Sequence, residues 1–543
     1  MSTVLKREEI LRMSKKFLRK ILVKQNIPIF VILFAAAFMR LYKIEEYLIF
    51  LGDEGRDVLV AKHILDGDLT LLGPTASVGG FFLGPIYYYM MAPFLWLFNY
   101  SPVGPAVMVA LFGIATVWLV YKVTKDFFGY YPALAASLLY AVSPLVILYS
   151  RSSWNPNTVP FFTLLMFYLL YKAVPKRSLK LFVAAGIIYG ILLQLHYLTT
   201  FLAAVVALYI FVSTVYLERK IKISALNTIR RYLVFGAGVL IGWSPFLAFE
   251  FRHGFPNFQS ITKFVLSSGD TGGNEKYFVI AQDVFMRVFS RLLLAFPRVE
   301  DLEQYNEKLL EIWGLGAYVI GITGVIFCVY MLVVSFKKKN EAFYKYLLLL
   351  FWLVICVLLF GFYKKPIYDY YLGLLYPLPF ILLGGVISLV IKRDVPLRHQ
   401  SKIWVVIVTV AVLSLTVLNY SYRQFRVPGN HQLRQVRQIA EFVLSKTDGK
   451  PYNFAVISGG NSDYAYRYFF ETENRTPVTI QFPGADPERK TITDQLLVVC
   501  ESNPCYPLGY SLWEVAGFGQ AEIVGEWPVS VLKVYKLEHY IPK

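Results

Sequence analysis

Long apolar stretches dominate this chain, and polar residues gather in the connections between them. A helix crossing a bilayer needs about 20 apolar residues. Runs approaching or reaching that length fall at about 27–44, 102–121, 132–149, 157–174, 180–195, 198–216, 232–249, 314–336, 345–363, 371–391 and 403–420. The pattern predicts a polytopic α-helical membrane protein with about eleven transmembrane helices. Beyond residue 420 the pattern changes. Residues 430–446 read as an amphipathic helix, 452–458 as a strand and 463–471 as a helix, and 495–501 and 529–538 read as strands. Residues 421–543 are therefore expected to form a small C-terminal α/β domain.

Charge orients these spans. Residues 1–26 carry Lys6, Arg7, Arg12, Lys15, Lys16, Arg19, Lys20 and Lys24. Every second connection is also basic: Lys122 and Lys125; Lys172, Lys176, Arg177 and Lys180; Arg219, Lys220, Lys222, Arg230 and Arg231; Lys337–Lys339; and Lys392, Arg393, Arg398 and Lys402. Cytoplasmic loops favour Lys and Arg, so one alternation places the N-terminus and all these loops inside. The first apolar run continues past Ala35-Ala36-Ala37 toward Leu41, which reads as an uncleaved span. The expected organisation is a cytoplasmic N-terminus, a transmembrane domain over 27–420, and an extracytoplasmic domain over 421–543. On that reading 45–101, 150–156, 250–313 and 364–370 face outward from a plasma membrane.

Composition adds three points. Hydrophobic residues make up 56% of the chain and charged residues 17%, too little charge for a soluble protein of 543 residues. The net charge of +18 fits loops facing anionic lipid, and no nucleic-acid motif is present. Of four cysteines, Cys328 and Cys356 lie in apolar runs. Cys500 and Cys505 bracket the loop CESNPC and could pair in an oxidising compartment, a point the sequence leaves open.

The informative stretch is FLGDEGRDVLVAKHILDGD, residues 50–68, which follows the first span. It reads as an interfacial amphipathic helix over 54–66, with Val58, Val60, Ala61, Ile64 and Leu65 on one face. Two roles compete for Asp53: helix N-cap or reactive carboxylate. Glu54 and Asp57 suit a helix start, where acids meet the dipole. Other outer connections also hold membrane-edge polar residues: Arg151, Trp154, Asn155 and Asn157 in SRSSWNPN, Gln194 and His196 in LQLHY, and Lys364, Lys365, Tyr368 and Asp369 in YKKPIYDYY. Such residues are costly in lipid, and clustering on one side marks a candidate site.

These residue types suit sugar transfer from a lipid phosphate. The acceptor needs a base, and the leaving phosphate needs cations. Asp53 is the candidate base. Arg151, Lys364 and Lys365 are candidate phosphate ligands, against alternative roles as an interfacial anchor and as snorkelling lysines. Glu54, Arg56, Asp57, Asn155, His196 and Tyr368 are candidate substrate contacts. Asp53, Glu54, Asp57 and His196 offer ligand types for a divalent ion without a recognisable spacing, so no metal site and no cofactor is assigned.

These motifs resemble the GT-C superfamily of glycosyltransferases, and among them the protein O-mannosyltransferases and lipid A aminoarabinose transferases. The resemblance covers roughly residues 27–390. It rests on Asp53-Glu54 after the first span, GPIYYYMMAP (84–93), SRSSWNPN with Pro160, and KKPIYDYYLGLLYPLP (364–379). It implies a catalytic base at Asp53, a polyprenyl-phosphate sugar donor, and inverting transfer to a lipid, glycan or protein acceptor. It also implies a cavity open to the outer leaflet. Where the aminoarabinose transferases carry a Glu-Lys pair before a proline, this chain has FFLGP (81–85), which moves the expected phosphate contacts to Arg151, Lys364 and Lys365. The rival classes are a lipid or saccharide transporter, which would carry charges at mid-span, and a receptor binding through the C-terminal domain.

Overall fold

The computed structural model describes residues 26–542 apart from 219–220, 268, 270, 273–274, 298, 392–399, 422–427 and 503. The basic residues 1–24 and Lys392, Arg393 and Arg398 therefore lie outside the described residues. Every apolar run of the sequence contains a helix. The chain begins with α1 (Ile27–Leu41), α2 (Gly52–Leu65), α3 (Ile86–Leu97), α4 (Val103–Phe128) and α5 (Tyr130–Val142). It continues through α6 (Val159–Ala173), α7 (Leu179–Leu195), α8 (Phe201–Glu218), α9 (Ile221–Gly242), α10 (Ser244–His253) and α11 (Pro256–Ser267). The helical part closes with α12 (Tyr277–Leu293), α13 (Glu307–Lys337), α14 (Ala342–Phe360), α15 (Leu378–Ile391) and α16 (Gln400–Ser421).

Among the described residues five of these are long and apolar enough to cross a membrane alone. The number rises to seven if each bent pair is one span: α9 with α10, at 76°, and Asp369–Leu375 with α15, at 48°. α1, α5 and α7 are apolar but shorter. The protein is thus a multi-pass membrane protein. α16 is strongly apolar yet only 6% buried in its most apolar stretch, which suits a surface facing lipid. Inside the bundle, contact relies on small residues. A Cβ on Gly186 of α7 would overlap the Phe235 carbonyl of α9, and one on Gly238 would overlap the Val183 carbonyl. Close backbone approach of this kind is how helices pack where water supplies no drive between them.

The two ends of the bundle differ. At one end the basic connections meet acids: Asp126 takes Lys122 at 2.9 Å and Lys172 at 2.7 Å, and Glu218 takes Arg177 and Arg231, each at 3.3 Å. α4 then runs 26 residues, about 39 Å at 1.5 Å per residue. At its other end lie α2, α3 and the C-terminal residues, where the Tyr468 hydroxyl donates to the Tyr100 carbonyl.

The C-terminal residues fold as α17 (Gln432–Ser445), β1 (Asn453–Ile457), α18 (Tyr464–Thr472), β2 (Gln495–Cys500), β3 (Ala521–Val529) and β4 (Leu532–His539). The sheet order is β1-β2-β4-β3. β1 pairs parallel with β2, and β4 pairs antiparallel with both β2 and β3. β1 and β2 are buried on both faces and read as continuous apolar runs. The reading of one strand over 529–538 needs correction: a turn at Ser530, with φ 56°, divides a hairpin. β3 was hidden because it is a largely exposed edge strand interrupted by Gly525 and Pro528. Cys500 and Cys505 are disulfide-bonded.

Candidate functional site

α2 starts at Gly52, two residues before the helix expected from sequence. The cap position is Leu51, so Asp53 is not the N-cap and stands in the first turn. Capping is done by others. The Glu54 carboxylate reaches back to the Leu51 N–H at 3.1 Å, and the Gly52 N–H donates to Asn461 Oδ1 at 2.8 Å. These satisfy donors that a helix start leaves open. The expectation of α2 lying free on the membrane surface also changes. Gly52, Glu54, Gly55, Asp57, Val58, Leu59 and Ala61 are buried, because α2 is packed between α3 and α18. A Cβ on Gly55 would overlap the main chain of Ala465. Further along, Glu471 of α18 meets Lys62 at 3.0 Å and His63 Nε2 at 2.9 Å.

The three acids of the first two turns differ sharply. The Asp53 side chain is 57% exposed and accepts from Arg56 Nη1 at 2.9 Å. Asp57 is fully buried. Its Oδ1 accepts from Arg56 Nε at 3.0 Å, from Arg56 Nη2 at 2.7 Å and from the Tyr88 hydroxyl at 3.2 Å. Burial pushes the Asp57 carboxyl up to about 6 despite the neighbouring Arg56. Burial pushes Glu54 up to about 7, against the opposing pull of backbone N–H donors. Arg56 therefore bridges an accessible carboxylate and a buried one.

Other sequence candidates have different occupations. Arg151 is buried, donates to the Met39 carbonyl at 2.8 Å and the Tyr42 carbonyl at 2.7 Å, and stacks over Tyr47. Its fork ties the end of α1 to the 150–157 loop, so a phosphate bound there would compete with these main-chain bonds. Asn155 donates to the Leu195 carbonyl at 2.5 Å. His196 caps α7, and its Nδ1 accepts from the Leu198 N–H at 3.3 Å. Both are buried and hold the helix end. Lys364, Lys365 and Tyr368 are exposed. No group of three or more His, Cys, Asp or Glu side chains among the described residues could hold a metal.

The structure also gathers residues that sequence reasoning missed. Tyr197, Tyr370 and Tyr371 surround His196, and Tyr363 packs on Tyr197 and Tyr371. The Tyr197 and Tyr363 hydroxyls are 2.8 Å apart, and Ser77 Oγ is 3.2 Å from the Tyr371 hydroxyl. Asp369 is held by Arg291 at 2.8 Å and by Arg287 at 3.5 Å, both from α12. The i,i+4 spacing of two arginines on an amphipathic helix was the available signal. Beside these tyrosines lies a cavity of about 380 Å³, lined by Phe81, Leu83, Tyr197, Trp243, Phe264 and Tyr363 among others. Its walls are almost wholly apolar, and the 81–88 segment runs from this wall to Tyr88 against Asp57.

A helical bundle with an apolar cavity and charged side chains at one end defines a class: a polytopic membrane protein. The relatives narrow this. Residues 83–249 match the dolichyl-phosphate-mannose-protein mannosyltransferase family. The putative mannosyltransferase YycA of Bacillus subtilis (strain 168) is 28% identical over 163 residues, which is 30% of this chain and 23% of that protein's length. ArnT from Cupriavidus metallidurans, solved bound to undecaprenyl phosphate, matches with a TM-score of 0.56 at 13% identity, over 94% of this chain and 97% of that one. Its apo structure matches with a TM-score of 0.53 at 12% identity, over 94% and 96% of the two chains. Residues 83–249 thus carry a likeness to membrane mannosyltransferases, and the chain as a whole has the fold of ArnT.

Proposed function

We propose that this protein transfers a sugar from a polyprenyl-phosphate donor to a lipid, glycan or protein acceptor at the outer leaflet, with inversion and with Asp53 as general base. The carrying observation is that Asp53 alone of the three acids that open α2 is exposed, while Glu54 caps and Asp57, a turn further on, is buried. The acceptor hydroxyl or amine gives its proton to Asp53 Oδ as its oxygen or nitrogen bonds to the anomeric carbon. The bond from that carbon to the phosphate oxygen breaks on the opposite face, and the phosphate leaves with the electron pair. Arg56 holds the base in place and, through Asp57, to the protein. Lys364 and Lys365, both exposed at the loop that follows α14, supply the charge that meets the phosphate. The 380 Å³ apolar cavity accommodates the start of the polyprenyl tail. ArnT, of the same fold, has been solved with undecaprenyl phosphate, which supports that donor class.

The 250–313 segment forms part of the cavity wall through Phe258, Ile261, Phe264 and Thr271. In this reading it closes over the donor and keeps water from the anomeric carbon. The orientation, with the N-terminus cytoplasmic and α2 and the 421–543 domain outside, follows from the loop charges. Contact between that domain and α2 supports placing both on one side.

The test compares wild type with Asp53→Asn in lipid, on a panel of polyprenyl-phosphate sugars. Turnover is expected to fall about 10²- to 10⁴-fold, with donor binding retained. Near-normal turnover in the variant would put the base elsewhere.

A further inference from the structure

The first turn of α2 is finished by a residue more than 400 positions away. The Gly52 N–H, immediately before Asp53, donates to Asn461 Oδ1 at 2.8 Å. Asn461 is itself fixed from several directions. Its Nδ2 donates to both Glu501 oxygens, at 3.1 and 3.0 Å. Its N–H donates to Ser458 Oγ at 2.9 Å, and its carbonyl accepts from the same hydroxyl at 2.8 Å. Glu501 also accepts from the Tyr466 hydroxyl at 2.9 Å, and its N–H donates to the Ile457 carbonyl at 2.8 Å. It sits in the loop that the Cys500–Cys505 disulfide closes. The contact is close by construction: Gly52 packs against Ser462 and Gly55 against the Ala465 main chain, with no room for a Cβ at either glycine.

We propose that Asn461 is a positioning residue for Asp53, so that the C-terminal domain sets the geometry of the base while contributing no reacting group. This rests on the reading of Asp53 as base. The disulfide-closed loop orients Glu501, Glu501 orients the Asn461 amide, and Asn461 Oδ1 holds the first N–H of α2. The Asp53 carboxylate, already tethered by Arg56, is thereby held at a fixed height above the membrane edge. A catalytic group displaced by about 1 Å loses much of its effect, so a cap one residue away acts on turnover before it acts on binding.

The experiment uses the full chain in lipid, with undecaprenyl phosphate as the binding probe and deuterium uptake read at amides 51–56. Asn461→Ala is expected to raise uptake there at least tenfold and lower kcat about tenfold. The probe's dissociation constant should stay within twofold and the melting temperature within a few degrees. Asn461→Asp keeps the acceptor but sets two carboxylates face to face, and should be impaired. Asn461→Asp combined with Glu501→Gln exchanges amide and acid across the pair, and should recover most of kcat. Unchanged uptake at 51–56 in Asn461→Ala would overturn the proposal. So would loss of binding and turnover together, with no recovery in the exchanged pair. Asp53→Asn run alongside separates the two readings. If it stays active, the base assignment falls, while deuterium uptake still decides whether Asn461 holds the helix start.

Discussion

The first turn of α2 and the 150–157 loop present the same cue, charged and polar residues at one end of an apolar bundle, and put it to opposite uses. In the loop most of the side-chain hydrogen bonds go to main chain, with Ser153 on the Tyr87 hydroxyl the exception. The two Nη atoms of Arg151 hold the Met39 and Tyr42 carbonyls, Asn155 holds the Leu195 carbonyl, and Ser152 takes the Ile49 N–H at 3.0 Å. In α2 the commitments stop short of one group. Glu54 and Asp57 are buried and bonded, while the Asp53 carboxylate faces solvent with Arg56 at its side. A polar residue at the membrane edge is costly until satisfied. Satisfaction by backbone ties segments together, and satisfaction that leaves one carboxylate accessible leaves a candidate site.

The comparison breaks most visibly at Asp53 and Arg151. Asp53→Asn should cost turnover about 10³-fold with little change in melting. Arg151→Lys should do the reverse, lowering stability by about 2–3 kcal/mol as a bidentate hold on two carbonyls is lost. Turnover per folded molecule should hardly change. An Arg151→Lys protein that melts normally but binds undecaprenyl phosphate poorly would reverse the assignment and restore the clamp.

Acidity sharpens the contrast. Glu54 sits at about 7 when folded against an ordinary 4.5. Between those values the folded chain holds the proton that the unfolded chain has released. Its stabilising effect is therefore complete below about pH 4.5 and is lost as pH rises toward 7. The loss is on the order of 3 kcal/mol. Glu54→Gln should reduce this slope in a melting series from pH 4.5 to 8, leaving the part below about pH 6 that buried Asp57 carries, whereas substitutions in the 150–157 loop should leave the whole slope in place.

A smaller effect is expected at the seam with α18. Gly55→Ala has no room and should cost about 1–3 kcal/mol by overpacking. Gly459→Ala, in open space in the same domain, should stay within about 0.5 kcal/mol. Equal melting temperatures would show that the two helices separate freely. The mildest change is Lys364→Ala, an exposed cation. It should weaken undecaprenyl phosphate binding by about two- to fivefold, more at low salt than at high. No change at any ionic strength would remove Lys364 from the phosphate site.

Much of the helical part was legible because each apolar run carries its own signal: a helix satisfies its backbone within itself, so lipid solubility shows in local composition. Asp53 and Glu54 stood out for the same local reason. The buried strands β1 and β2 were legible as short apolar runs, while β3 was not, since an exposed edge strand has little need of a pattern. The partners of Arg151 were not legible, because its chemistry fits a phosphate as well as it fits two carbonyls, and only its neighbours in space show the carbonyls.

What the sequence determined was the membrane class, the positions of the apolar helices, and the acids that open α2. Tertiary structure decided which of those acids stays open, that Arg151 bonds the Met39 and Tyr42 carbonyls, that Arg287 and Arg291 meet Asp369, and that a C-terminal asparagine caps the helix of the candidate base. The reason is physical. Hydrophobic periodicity is written in neighbouring residues, whereas a hydrogen bond between Gly52 and Asn461 depends on where two distant segments are brought by packing, and no local pattern encodes that distance.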